Sequence, residues 1–144
     1  MDDIFFMRQA ISEAKLAYEK DEVPVGAVIV CQNRIIARAH NRTEELVDVT
    51  AHAEIQAITS ASNFLNGKYL HDCTLYVSLE PCPMCAGALA WSQIGKIVFA
   101  TKDVKRGYRL FYPSILHPKT IVTEGILEKE CANLLKDFFK TKRL

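Results

Sequence analysis

The sequence predicts an α/β domain over residues 1–144, a mixed five-stranded sheet with helices on both faces. Three observations carry this. Two short apolar runs, 25–30 and 35–39, are separated only by Cys31-Gln32-Asn33-Arg34. So short a connection cannot make a parallel crossover, so the two runs pair antiparallel. Cys73–Leu79 and Ile97–Ala100 flank a helical stretch, the spacing of a βαβ unit with parallel strands. Helical patterns also open and close the chain.

In chain order, the first helix is expected over Asp2–Lys20, with Phe6, Ala10, Ala14 and Ala17 on one face. Asp2 and Asp3 lie where the helix dipole favours negative charge. Asp21-Glu22-Val23-Pro24 ends that helix, because proline biases its predecessor towards extended backbone. Val25–Val30 and Ile35–Ala39 are the hairpin strands. His40–Val49 is polar and irregular, and it holds Asn41. Thr50 is expected to cap a helix over Ala51–Asn63, with Glu54 in its first turn and Ile55, Ile58 and Phe64 towards the core. Asn66-Gly67 marks a turn. Cys73–Leu79 is rich in strand formers. Cys82–Ser92 is helical, and Ile97–Ala100 is a strand. Thr101–Pro118 is a basic connector with no assignable local structure. Thr120–Thr123 is an edge strand, and Glu128–Lys140 a closing helix with Leu134, Leu135, Phe138 and Phe139 available for burial.

The chain length suits one domain. With 49% hydrophobic and 24% charged residues, the composition argues against disorder. No apolar run approaches the ~18–20 residues of a membrane span. Met1-Asp2-Asp3 lacks the basic start and apolar core of a secretion signal. The five cysteines are an odd number, so reduced thiols in the cytoplasm are expected. Charge is uneven. Residues 1–95 hold 7 basic and 12 acidic side chains, net −5, whereas 96–144 hold 11 and 5, net +6. A basic second half fits either a solvated surface or a polyanionic partner.

The chemistry concentrates in His52-Ala53-Glu54 and Pro81-Cys82-Pro83-Met84-Cys85. One imidazole and two thiolates can hold zinc, leaving a carboxylate for proton transfer. Cys82 and Cys85, three apart at a helix start, project to one side, and a helix N-terminus favours thiolates. A structural zinc site needs a fourth protein ligand. Cys73 begins the strand that ends before Cys82, which carries it about 20 Å away. Water is the expected fourth ligand, which favours catalysis. A thioredoxin-like pair at Cys82 and Cys85 is the rival, but it gives His52 and Glu54 no work.

The order His-x-Glu then Pro-Cys-x-x-Cys is the zinc-deaminase signature. Over nearly its whole length the chain resembles bacterial tRNA-specific adenosine deaminases. The likeness lies in Glu22–Ala27, Ala37–Asn41, Thr50–Glu54, Glu80–Cys82, Cys85–Ala88, Gly125–Glu128 and Leu134–Phe139. It implies a cytidine deaminase-like α/β/α sandwich, a homodimer, and conversion of adenosine to inosine in a tRNA anticodon loop. By position it implies zinc on His52, Cys82 and Cys85, proton transfer by Glu54, and substrate contact by Asn41.

Asp103, Lys105 and Arg106, with Lys102 and Arg109, are expected to face the RNA. Lys136, Lys140, Lys142 and Arg143 are the C-terminal candidates, and Phe138 and Phe139 offer either stacking or core packing. A deaminase of free guanine or cytosine is the alternative, since the same machinery serves it. Lys105–Phe111 and His117-Pro118-Lys119 depart from the family pattern, and both lie where RNA is expected.

Overall fold

A computed structural model describes residues 1–142, so Arg143 lies outside the described residues. The elements run α1 (Asp3–Glu19), β1 (Gly26–Cys31), β2 (Arg34–His40), α2 (Ala53–Leu65) and β3 (Cys73–Leu79). They continue with α3 (Pro83–Ser92), β4 (Lys96–Thr101), α4 (Tyr108–Phe111), β5 (Ile121–Glu124) and α5 (Glu128–Lys142). The sheet order is β2-β1-β3-β4-β5. β1 pairs antiparallel with both β2 and β3, while β3–β4 and β4–β5 are parallel.

Alternation along the strands sorts the core into two layers. Ala27, Ile29, Leu75, Val77, Ile97 and Phe99 face α2 and α3, meeting Ala53, Ala57, Ala61 and Leu89. Val28, Val30, Tyr76, Val98 and Ala100 face the other way, onto Phe6, Met7, Ala10 and Ile11 of α1 and Cys131 of α5. Each large side chain buried here stabilises the fold by about 1.5–3 kcal/mol. Small residues set the spacing. A Cβ on Gly26 would run into the α1 backbone at Ala10 and Ala14, so only glycine lets that helix lie so close to β1.

The hairpin closes through Gln32 and Asn33, both at positive φ (51° and 62°), a two-residue turn whose twist matches the strands. Because β2, β3 and β4 run in the same direction, their C-terminal ends emerge at one edge of the sheet. That edge carries His40-Asn41, Glu80–Cys82 and Thr101–Asp103, and the chemistry gathers there. No described helix is long and apolar enough to cross a membrane.

Local expectations are corrected at three places. The N-cap of α2 is His52 rather than Thr50. The Thr50 hydroxyl and N–H instead bind the Asp48 carboxylate, at 2.7 and 2.8 Å. Phe64 is 63% exposed, since the buried face of α2 ends at Ala61. The connector after β4 contains the short helix α4, which the sequence did not reveal.

Candidate active site

Two helix N-termini meet at the sheet edge. His52 caps α2 and Cys82 caps α3, both with extended backbone and neither using its side chain on its own helix. Those side chains are free to point into the space between the helices. Pro83 opens α3, where its missing N–H costs nothing. The His52 Nδ1 lies 3.6 Å from the Cys82 sulfur and 3.4 Å from the Cys85 sulfur. All three ligand atoms lie within 4.8 Å of one another.

These separations fit a tetrahedral metal. Bonds of about 2.0 Å to nitrogen and 2.3 Å to sulfur place such atoms about 3.5 Å apart. Among the described residues, His52, Cys82 and Cys85 are the one group arranged to hold an ion. Cys31, Cys73 and Cys131 are free thiols elsewhere, the latter two buried.

The electrostatics suit the same purpose. The neighbouring Cys85 thiol, then the His52 ring, pull the Cys82 thiol down to about 4 against the effect of burial. Cys85 is correspondingly pushed up, first by Cys82 and then by its own burial. The Cys82 contact raises His52. Glu54, only 4% exposed, stands in the first turn of α2 beside these groups. Burial, more than any neighbour, lifts its carboxyl to about 7, poised to take and return a proton near neutrality.

Gln56 braces the segment. Its side-chain amide donates to the carbonyls of His40 (2.7 Å), Ala51 (3.0 Å) and His52 (3.3 Å). It therefore ties the end of β2 to the turn that carries His52. Asn41 is nearly buried, its amide donating to the Val23 carbonyl (3.3 Å) and its oxygen accepting the Thr43 N–H (3.2 Å). Buried Glu22 accepts the N–H groups of Glu44 and Glu45 at 3.0 and 2.7 Å, shaping the loop that follows Asn41. Sequence reasoning missed the roles of Gln56, Glu22 and Glu80. The available signal for the two glutamates was an acidic residue one or two places before a proline, Glu80 before Pro81 and Glu22 before Pro24.

The basic candidates divide. Lys105 and Arg106 are exposed. Asp103 turns its carboxylate onto their backbone N–H groups, at 3.0 Å each, and so builds the turn that displays them. Arg109 is occupied: Nη2 pairs with Glu124 at 2.7 Å, and the guanidinium lies 5.0 Å from the Phe99 ring centre. Lys102 also pairs with Glu124, and Lys142 with Asp21. Phe138 is buried, its ring 5.7 Å from Tyr18, so it anchors α5 to α1 and offers no stacking face. Phe139 is 43% exposed.

Residues 1–143 match the model of the MafB19-like deaminases. The chain belongs to this deaminase family. It is 48% identical to a protein of Aquifex aeolicus named tRNA-specific adenosine deaminase, over 96% of this chain and 95% of the relative. Among solved structures, one from a study of A-to-I editing by tRNA:A34 deaminases at the wobble position of transfer RNA is similar. It has TM-score 0.84 and 43% identity, covering 91% of this chain and 99% of the other. The X-ray structure of a guanine deaminase from Bacillus subtilis has TM-score 0.70 and 34% identity, covering 82% and 79%. The deaminase fold is therefore the cytidine deaminase-like α/β/α sandwich expected from the sequence. Both RNA- and base-directed relatives share it, so the substrate has to be argued from the surface around the site.

Proposed function

We propose that this chain is a hydrolase that converts adenosine to inosine at the wobble position of a tRNA anticodon, releasing ammonia, with one deaminase domain across 1–144. The observation that carries the reading is the convergence of one imidazole, two thiols and a buried carboxylate at facing helix N-termini. It occurs in a chain 48% identical to a named tRNA-specific adenosine deaminase.

Zinc is the ion that one nitrogen and two sulfur donors suit, held by His52, Cys82 and Cys85. When bound, it supplies a Lewis acid that makes water nucleophilic near neutral pH. Glu54 does the proton work. It accepts a proton from the attacking water and delivers it to the purine ring as C6 is attacked. It then carries a second proton from the new hydroxyl to the departing amine. Burial of Glu54 keeps bulk water from competing for those protons.

An adenine inside a stacked helix cannot reach a site between two helix ends, which favours an unstacked loop nucleotide. Asn41 retains one amide hydrogen and one lone pair for the substrate after its two loop contacts. Lys105 and Arg106 stand at the same sheet edge, and Asp103 acts on the RNA through them. Lys136, Lys140 and Phe139 extend the RNA-facing surface along α5. A free guanine or cytosine would leave these groups idle, which is why RNA is the preferred reading.

We also propose a homodimer. Met84 and Trp91 lie two helical turns apart on α3, and Trp91 is 85% exposed. Leu110, Phe111 and Tyr112 are 55–59% exposed, and an apolar surface of this kind favours a partner. A tRNA substrate and free thiols fit the cytoplasm.

The test is incubation of the zinc-loaded protein with an anticodon stem-loop bearing adenosine at the wobble position. Inosine is expected. An unchanged RNA beside turnover of free guanine or cytosine would overturn the substrate reading.

A further inference from the structure

Glu80 stands two residues before Cys82, yet its carboxylate is used by the loop that follows β4. Oε1 accepts the Asp103 N–H at 3.2 Å. Oε2 accepts the Arg109 backbone N–H at 3.3 Å and the Arg109 Nε at 3.4 Å. The residue is 4% exposed. Its own N–H donates to Thr101 at 2.8 Å, and the Tyr108 N–H donates to Pro81 at 2.9 Å, so backbone bonds flank the side-chain contacts.

Gly107 completes the fit. A Cβ at that position would overlap the Glu80 carboxylate, and no side chain can be added without displacing it. A buried carboxylate is costly unless its lone pairs are used, and here every recorded partner comes from 23 or 29 residues downstream. The closed arrangement of 102–111 is therefore the one that satisfies Glu80. An open loop would strand the charge.

The consequence reaches the surface. With Asp103 and Arg109 held, the turn built on the Asp103 carboxylate displays Lys105 and Arg106 in a set direction beside the Cys82 turn. A surface ordered beforehand spares the ordering cost that a mobile loop would pay on binding. We propose that Glu80 is a positioning residue that ties the metal-bearing turn to the 102–111 loop and so presets the RNA-facing surface. This rests on the tRNA reading above. Glu80 touches neither substrate nor metal. It acts through the loop.

The experiment compares wild type with Glu80→Gln, both zinc-loaded, by three readouts. Amide exchange at Asp103 or Arg109 is expected to be at least tenfold faster in the variant, because glutamine replaces one of the two accepting oxygens with an amide donor and keeps only the other. KM for the stem-loop is expected to rise about tenfold with kcat within about twofold, the signature of a lost preset surface. Zinc content is expected to stay unchanged. Gly107→Ala should reproduce the KM effect, and Glu80→Gln/Gly107→Ala should be no worse than either single variant, since both act on one contact.

Unaltered exchange at Asp103 and Arg109 would overturn the proposal, as would an unchanged KM or a loss of zinc in Glu80→Gln. If wild type leaves the RNA unmodified, the substrate reading fails by itself. Amide exchange and zinc content then still decide whether Glu80 holds the loop.

Discussion

The His52 imidazole lies 3.4 Å from the Cys85 sulfur, although 33 residues separate them in sequence. Capping does not account for the meeting: His52 makes no side-chain cap bond to α2, and Cys85 lies inside the first turn of α3, behind the N-cap Cys82. On the proposed ligand set of His52, Cys82 and Cys85, replacing any one donor removes one of three ligands. His52→Ala and Cys82→Ser are each expected to bring zinc well below one per chain by elemental analysis and to abolish turnover. A full complement of zinc in either variant would refute the ligand assignment.

Glu54→Gln separates the proton-transfer role from the ligand role. The amide keeps the shape and removes the base, so zinc content and the melting transition should persist. Turnover is expected to fall by about 10²–10⁴-fold, the usual worth of a positioned acid–base group. The check is single-turnover inosine formation beside elemental analysis. Activity within tenfold of wild type would place the base elsewhere.

Metal removal should expose specific thiols. Burial pushes Cys73 and Cys131 up to about 12, so at pH 8 their thiolate fraction is on the order of 10⁻⁴. With zinc bound, alkylation at pH 8 is expected chiefly at half-buried Cys31. After chelation Cys82 should join it while Cys73 and Cys131 stay silent, as mapped by mass spectrometry of tryptic peptides. The same chelation should lower the melting temperature. An ion at 100 times its Kd stabilises the native state by about 2.7 kcal/mol, which is lost with it.

Where local chemistry decides structure, the sequence was legible. The hairpin reads directly because the connection between two apolar runs is too short for a parallel crossover. The grouping of His52, Cys82 and Cys85 reads because residue type and order restrict it so tightly. Thr50 misled because the competitor for its hydroxyl, Asp48, makes a local turn that capping preference alone does not reveal. The 102–111 loop was illegible for a different reason. Its shape is held by Glu80, Phe99 and Glu124, which lie on three other elements or their ends. Sequence alone reads Arg109 as an RNA contact because its partners, Glu80, Phe99 and Glu124, are brought to it only by the fold.

Phe138 and Phe139 make the sharpest contrast between neighbours. Their rings meet edge to face at 5.4 Å, but Phe138 is 5% exposed against Tyr18 while Phe139 is 43% exposed. Phe138→Ala opens a cavity under α5 and is expected to cost about 3–5 kcal/mol in urea unfolding. Phe139→Ala should cost less than about 1 kcal/mol there, because half of that ring already meets water. If Phe139 stacks on the RNA, its removal should weaken stem-loop binding by about 1–3 kcal/mol, the range measured for single base–aromatic stacks. Fluorescence anisotropy at fixed salt reads that loss. Unchanged affinity in Phe139→Ala would confine the RNA contacts of α5 to its lysines, whose contribution should then fall steeply with salt.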